Sequence, residues 1–358
     1  MNVFMQRFSL GTRIGIGVLL AMLATMAVLA VPFLAENRKL IEREEKDRGQ
    51  AQYNNMLTSL HGKAMAAADM ATLISHSEEV QTAMVAHDRK RLNDMYQNAF
   101  KFLKKEQGYK QMHFHGPNNV TIFRVHNPDH FDDNLTTIRL DVAKTNQSKK
   151  AVLGLSSGKS GIGIRGVVPA FQQGRHIGAV EVGRDLDIHF VADFKASYGV
   201  DSVIHLLIKE GGFKTYSGTT DSALSTEELK SVLGGTPLRK RITDAGSHAV
   251  LYARVISDSM DKPIGVIELK MDNEKNMAAQ HRIYLTVMGA LVLAAAFVGI
   301  LLMILFRQVS RPLNLISNGL MDGARQVSSS SDAVASGGQE LADGATQQAA
   351  SLEETSAS

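Results

Sequence analysis

Two uncharged apolar stretches, residues 14–35 and 283–306, constrain this chain more than any other feature of its sequence. Each is long enough to cross about 30 Å of hydrocarbon, which takes roughly 20 residues of helix, and a helix satisfies its own backbone polar groups inside lipid. Both are expected to span a membrane. A cleaved signal peptide is the alternative for the first, because Arg7 and Arg13 precede it. Its apolar core is longer than a signal core, however, and Pro32 stands where a helix would leave the bilayer, which favours a retained anchor. Arg7 and Arg13 on one side, and Arg307 and Arg311 on the other, place both short flanks in the cytoplasm by the retention of positive charge. Residues 36–282 then lie outside it.

The 358 residues leave room for two or three domains. A net charge of +3, with no basic stripe carrying interleaved aromatics, argues against nucleic acid as a partner. The absence of cysteine excludes disulfides, thiolate metal sites, a cysteine nucleophile and covalent haem attachment.

The external segment changes character midway. Residues 36–108 read as a helical stalk, with a charged opening followed by Leu60, Met65, Met70 and Leu73 among alanines. A break is expected at Ser75, His76 and Ser77, and a second helical run with Ser77 as its N-cap is expected to end at Gly108. From Tyr109 the period switches to two. Residues 109–195 read as a first β-rich module of two hairpins, and residues 196–282 as a second module with a smaller sheet and a short helix near 225–232. An internal echo supports tandem modules, since Ile177, Gly178, Ala179, Val180, Glu181 and Val182 match Ile264, Gly265, Val266, Ile267, Glu268 and Leu269, with Asp185 and Asp272 following at equal spacing.

Beyond the second apolar stretch, Arg311, Pro312 and Leu313 read as the opening of a helix that runs to the end of the sequence. Leu313, Leu320, Val327, Val334 and Leu341 recur every seven residues, and Ala324, Ser331, Gly338, Ala345 and Leu352 sit four further on. This seam predicts a coiled coil and hence a homodimer. The alternative is a disordered tail rich in Ser, Ala and Gly.

The closing residues, from Ala349 and Ala350 through Glu353 and Glu354 to Ala357 and Ser358, resemble the methylation-site consensus of methyl-accepting chemotaxis proteins: small pairs flanking a Glu/Gln pair at fixed spacing. Gln347 and Gln348 form a second such pair, although Asp343 and Leu352 stand where small residues belong. Esterifying these carboxylates would remove like-charge repulsion between neighbouring helices. The Arg311, Pro312, Leu313 element resembles the start of a HAMP linker (307–326), without the rest of that module, leading into a signalling region (327–358). Residues 36–282 resemble a double Cache sensor with a long N-terminal helix and two PAS-like modules. The resemblance implies an α+β, two-span chemoreceptor of the bacterial inner membrane, with its sensor periplasmic or extracellular. It implies no cofactor and no enzymatic activity. The implied partners are a small-molecule ligand, a histidine kinase with its coupling protein, a methyltransferase, a methylesterase, and further receptors in an array. The family's cytoplasmic hairpin tip is not in this sequence, so the chain reads as truncated. A sensor histidine kinase or nucleotide cyclase with the same front end is the rival reading.

A ligand site is expected on the first hairpin. If residues 116–119 form the loop, His115 faces Val120 and His113 faces Ile122, and alternation sets His113, His115, Arg124 and His126 on one side against Met112, Phe114, Phe123 and Val125 on the other. Imidazoles beside a guanidinium suit a carboxylate or another small anion. Arg139 and Arg165 are candidates to join them, and Asp129, Asp132 and Asp133 to close around a ligand amine. The plainer reading pairs Arg124 with Asp132 or Asp133. Zinc, nickel or copper on the histidines is a further alternative, but no carboxylate stands at defined spacing and no metal is assigned. Gly158, Lys159, Ser160 and Gly161 lack the spacing of a phosphate loop and read as a tight turn.

Overall fold

The computed structural model describes residues 10–158, 161–208, 211–244 and 246–356. The side chains of Arg13, Arg311, Leu313, Glu353 and Glu354 lie outside the described residues, as do Arg7, Lys159 and Ser160 altogether. Residues 38–280 form one compact unit, and the described parts of 1–37 and 281–358 form another.

The second unit is helical. Helix α1 (Leu10–Ser75) begins in it, and the chain returns to it in the last helix, Glu274–Ser356. Both helices are long and apolar enough to cross a membrane. The helix expected to open at Arg311 does not start there: the last helix runs unbroken through Pro312. A proline removes one backbone bond, and a turn held by bonds on both sides can tolerate that loss. Leu320, Val327, Val334 and Leu341 are exposed along it, and so are Gln347 and Gln348.

The compact unit hangs on α1, which ends at Ser75. Ser77 then caps α2 (Glu78–Val85) by accepting from Val80 N–H at 3.5 Å. The run read as one helix is interrupted again at residues 86–88, where His87 takes φ 52° and Asp88 caps α3 (Arg89–Gln107) by accepting from Arg91 N–H at 2.9 Å. The face of α1 that packs inward differs from the one its large residues suggest. Leu73 is 77% exposed and Met65 47%, while Ala64, Ala67 and Ala71 are fully buried. Small side chains let the helix lie close on the sheet: a Cβ on Gly166 would collide with the backbone of Ala67 and Ala68.

Two five-stranded antiparallel sheets follow. The first holds β1 (Tyr109–His115), β2 (Thr121–Arg124), β3 (Val152–Gly158), β4 (Gly161–Gln172) and β5 (Arg175–Asp185) in the order β2-β1-β5-β4-β3, with α4 (Leu140–Ser148) between β2 and β3. After α5 (Ile188–Tyr198), the second holds β6 (Asp201–Leu207), β7 (Phe213–Gly218), β8 (Leu238–Asp244), β9 (Ser247–Ser257) and β10 (Pro263–Asp272) in the order β7-β6-β10-β9-β8, with α6 (Thr226–Leu233) before β8. Helix α7 (Glu274–Ser356) continues from β10. The second sheet is therefore not the smaller one, and the boundary read at 195/196 falls inside α5. The two orders are one permutation repeated. Gly178 and Gly265 hold the same place in each, where an added Cβ would strike the carbonyl oxygen of His115 or of His205. A core of Met56, Leu60, Leu155, Ile164, Ile204 and Ile267 joins α1 to both sheets.

Candidate ligand site in the first sheet

Strand β5 lies at the centre of its sheet, and its buried run, residues 177–183, is apolar apart from Glu181, which is fully buried. The register brings other polar residues to it. His113 on β1 is directly opposite Glu181, and on the other flank β4 pairs Val167 with it. Side chains two apart share a face, so His115 and Arg165 project beside His113 and Glu181. Glu181 Oε2 accepts from His113 Nδ1 at 3.1 Å and from His115 Nε2 at 3.0 Å. Its Oε1 takes the guanidiniums of Arg139 at 2.7 Å and Arg165 at 2.9 Å. Arg139, just ahead of α4, also forms a forked pair with Asp141 at 3.1 and 2.8 Å.

The electrostatics of this cluster are settled by burial and pairing. Burial alone would raise the pKa of Glu181, but the guanidiniums of Arg139 and Arg165, with the hydrogen bond from His113, outweigh it and hold the carboxyl well below the usual range. Burial pushes His113 well down and His115 down, against the pull of Glu181. The carboxylate is thus ionised and the imidazoles neutral, which assigns the proton to Nδ1 of His113 and to Nε2 of His115. Two guanidiniums then balance two carboxylates, Glu181 and Asp141.

Beside the cluster opens a cleft of about 380 Å³, lined by Gln111, His113, Arg139 and Arg165 within and by Asp129 and Phe131 at its outer wall, among others. His126 lines it too, its ring 4.6 Å from that of His113, and burial lowers its pKa to about 4. Arg124 lines the cleft without touching Glu181. It pairs with Asp133 at 2.8 Å and donates to the carbonyl of His130 at 2.7 Å. Asp132 does not line the cleft: it pairs with Arg89.

The eight residues read from the sequence therefore separate. His113, His115, Arg139 and Arg165 converge on one carboxylate, Arg124, His126 and Asp133 stand in the cleft wall, and Asp132 is turned away. The expected pairing across the hairpin is also corrected. His115 faces Thr121 because the connection spans residues 116–120, one more than expected, and His113 faces Arg124 because the register shifts again between Phe114 and His115. The longer connection and the bulge together leave the polar side of the hairpin intact while moving each partner. Glu181 is the residue the hairpin reading missed. Its signal was the echo, in which Glu181 and Glu268 are the acidic members of matched strands.

The carboxylate absent from the local sequence is thus supplied from β5. The ligating atoms of His113, His115 and Glu181 lie within 4.8 Å of one another, a spacing that suits a metal. The two guanidiniums on the same carboxylate oppose a further cation at that point.

In the second sheet Glu268 is the counterpart. It accepts from His205 Nε2 at 3.0 Å, Ser222 Oγ at 2.7 Å and the backbone N–H of Ala223 at 3.0 Å. No guanidinium reaches it among the described residues, and the chain's own residues 222–223 cover it.

The family dCache_3, described as the double sensory domain of two-component sensor kinase, matches residues 42–275. Among curated proteins none matches. Solved structures similar to the chain include three bacterial sensor domains. The ligand-binding domain of the Pseudomonas fluorescens chemoreceptor CtaA in complex with L-leucine is 15% identical, with a TM-score of 0.39, covering 67% of this chain and 98% of that one. The Vibrio cholerae histidine kinase DctB sensor domain is 12% identical, with a TM-score of 0.38, covering 66% and 98%. A domain assigned to the sensory box/GGDEF family from Vibrio parahaemolyticus is 12% identical, with a TM-score of 0.41, covering 65% and 98%.

Proposed function

The chain belongs to the dCache_3 family of double sensory domains, and from that premise we propose that it is a membrane-anchored chemoreceptor whose sensor faces outward and binds a small carboxylate or comparable anion in the cleft beside Glu181. The observation that carries the ligand reading is the pair Arg139 and Arg165. Each is 3% exposed, and both line a cleft beside neutral imidazoles, where a charge-assisted hydrogen bond is stronger than in water. In this reading the chain is not an enzyme. Occupancy of the cleft shifts the second span relative to the first and changes the packing of a cytoplasmic coiled coil formed with a second copy. The Glu353 and Glu354 pair, with Gln347 and Gln348, is the site of adaptation by methylation. A chemotaxis histidine kinase with its coupling protein receives the signal.

A second reading is favoured by the family's own description: the same sensor feeding a histidine kinase directly. The methylation-like run ending at Ser358 discriminates between them, because a kinase has no use for it.

The ligand reading is tested by thermal-shift screening of the full chain in detergent against carboxylates, amino acids, purines and divalent metals. A carboxylate or amino acid is expected to raise the melting temperature. Arg165→Gln is then expected to weaken that ligand roughly 10- to 100-fold, the scale of one lost charge-assisted bond. Unchanged affinity in a folded Arg165→Gln protein places the ligand elsewhere. Cysteines at Val327 and Val334 test the paired stalk by crosslinking between copies, and a topology reporter inserted at Gly174 tests the outward face.

A further inference from the structure

Residues 127–131 run along the outer wall of the cleft as an exposed strap, and two arginines that do not touch Glu181 grip it from opposite sides. From inside, Arg124 on β2 pairs with Asp133 through Nη2 and donates from Nη1 to the carbonyl of His130. From outside, Arg89 at the start of α3 lies over the Phe131 ring at 3.9 Å, pairs with Asp132 and donates to the carbonyl of Ile122 at 2.9 Å. The strap is tied at its far end as well, where Asp133 O and Asp132 N–H bond the backbone of Thr121 and Leu135 is buried.

The two grips differ in strength for a physical reason. The side chains of Arg124 and Asp133 are 11% and 25% exposed and meet through one hydrogen bond and a second close ion contact. Those of Arg89 and Asp132 are 31% and 57% exposed, so water and salt screen their attraction. The outer grip is therefore the one that opens first. Its Phe131 contact is the part that moves with the strap, because Phe131 itself lines the cleft while its ring is held by a cation on another element.

We propose that Arg89 and Arg124 are positioning residues for ligand binding: Arg124 is a fixed pin for the strap, and Arg89 is a latch whose release opens the cleft. This places Arg124 outside direct ligand recognition, which falls to Arg139 and Arg165. It also ties the entry route to the first turn of α3, so that opening the cleft frees that turn. The inference rests on the cleft being the ligand site, and its test uses no ligand, so the latch and the ligand reading can fail separately.

The test is the acylation of His126 by diethyl pyrocarbonate, followed by peptide mass spectrometry on the full chain in detergent at neutral pH. His126 is half-buried within the cleft, and its imidazole is neutral there. Exposed His61 on α1 serves as the internal control. Arg89→Ala is expected to raise the His126 rate about fivefold, the scale of one exposed ion pair plus one cation–ring contact, with His61 unchanged. Arg89→Lys, which keeps the charge but loses the flat stacking surface, is expected to fall between the two. Raising the salt to about 0.5 M is expected to accelerate the parent chain and leave Arg89→Ala unmoved. Hydrogen exchange is expected to quicken in residues 127–133 while β1 stays protected. An unchanged His126 rate in Arg89→Ala overturns the latch. So does a loss of protection throughout β1 and β5, because Arg89 would then be holding the fold rather than the strap.

Discussion

The two sheets of the sensor place a glutamate at the same point of the same strand order, yet surround it differently. Glu181 meets two guanidiniums and two imidazoles beside an open cleft, whereas Glu268 meets one imidazole and is covered by Ser222 and Ala223. The repeated scaffold supplies a buried carboxylate, and the segment that crosses in front of it decides whether that carboxylate organises a site or is sealed as core. In the first sheet this is the stretch from β2 to α4, which brings Arg139. In the second it is the stretch from β7 to α6, which brings Ser222.

The sharpest way to break this comparison is to neutralise each glutamate in turn. Glu181→Gln leaves buried Arg165 without a carboxylate and Arg139 with Asp141 alone, and is expected to cost about 3–5 kcal/mol of stability, whereas Glu268→Gln leaves no buried guanidinium behind and should cost about 1–2 kcal/mol. Denaturation midpoints read the difference, and equal losses would mean that the arginines do not depend on Glu181. Acid is the next largest effect. His126 titrates near 4 in the fold against 6.5 unfolded, so the unfolded chain binds the extra proton between those values. Stability then falls as pH drops from about 6.5 to 4, by on the order of 3 kcal/mol for this group. Lowered His113 and His115 act in the same direction, and so does Glu181, whose contribution is lost only as pH falls through its depressed folded value. His126→Gln should reduce the slope of stability against pH in that window by roughly one proton. Smallest is Ser222→Ala, expected to cost about 1 kcal/mol by removing one hydroxyl from Glu268. A Ser222→Ala protein that gained a second ligand site would show that a single side chain seals the second module.

Much of this was legible in the sequence, where local pattern is strong. The apolar stretches, the stop at Ser75 and the polar side of the first hairpin follow from short-range pattern, and the glutamate echo from an internal repeat. What escaped is what depends on distant partners. Glu181 lies 66 residues or more from the histidines it joins, in a strand that is otherwise core. β8, with Leu238, Arg239, Lys240 and Arg241, is an edge strand whose charges hide its alternation, and such charge is how edges avoid pairing with other chains. Helix α4 has no side-chain cap bond, because Arg139 at its start carries only donors, and its guanidinium goes to Asp141 and Glu181. The alanine face of α1 escaped because closeness, rather than side-chain volume, is what the sheet requires there.

The most direct measurement is to locate a bound ligand by crystallography, using the sensor grown with the strongest binder from the thermal-shift screen. The ligand is expected in the first sheet's cleft, with an anionic group against Arg139 or Arg165 and Ser222 still closed on Glu268. A ligand seated against Glu268, or one that leaves both arginines untouched, would contradict the account.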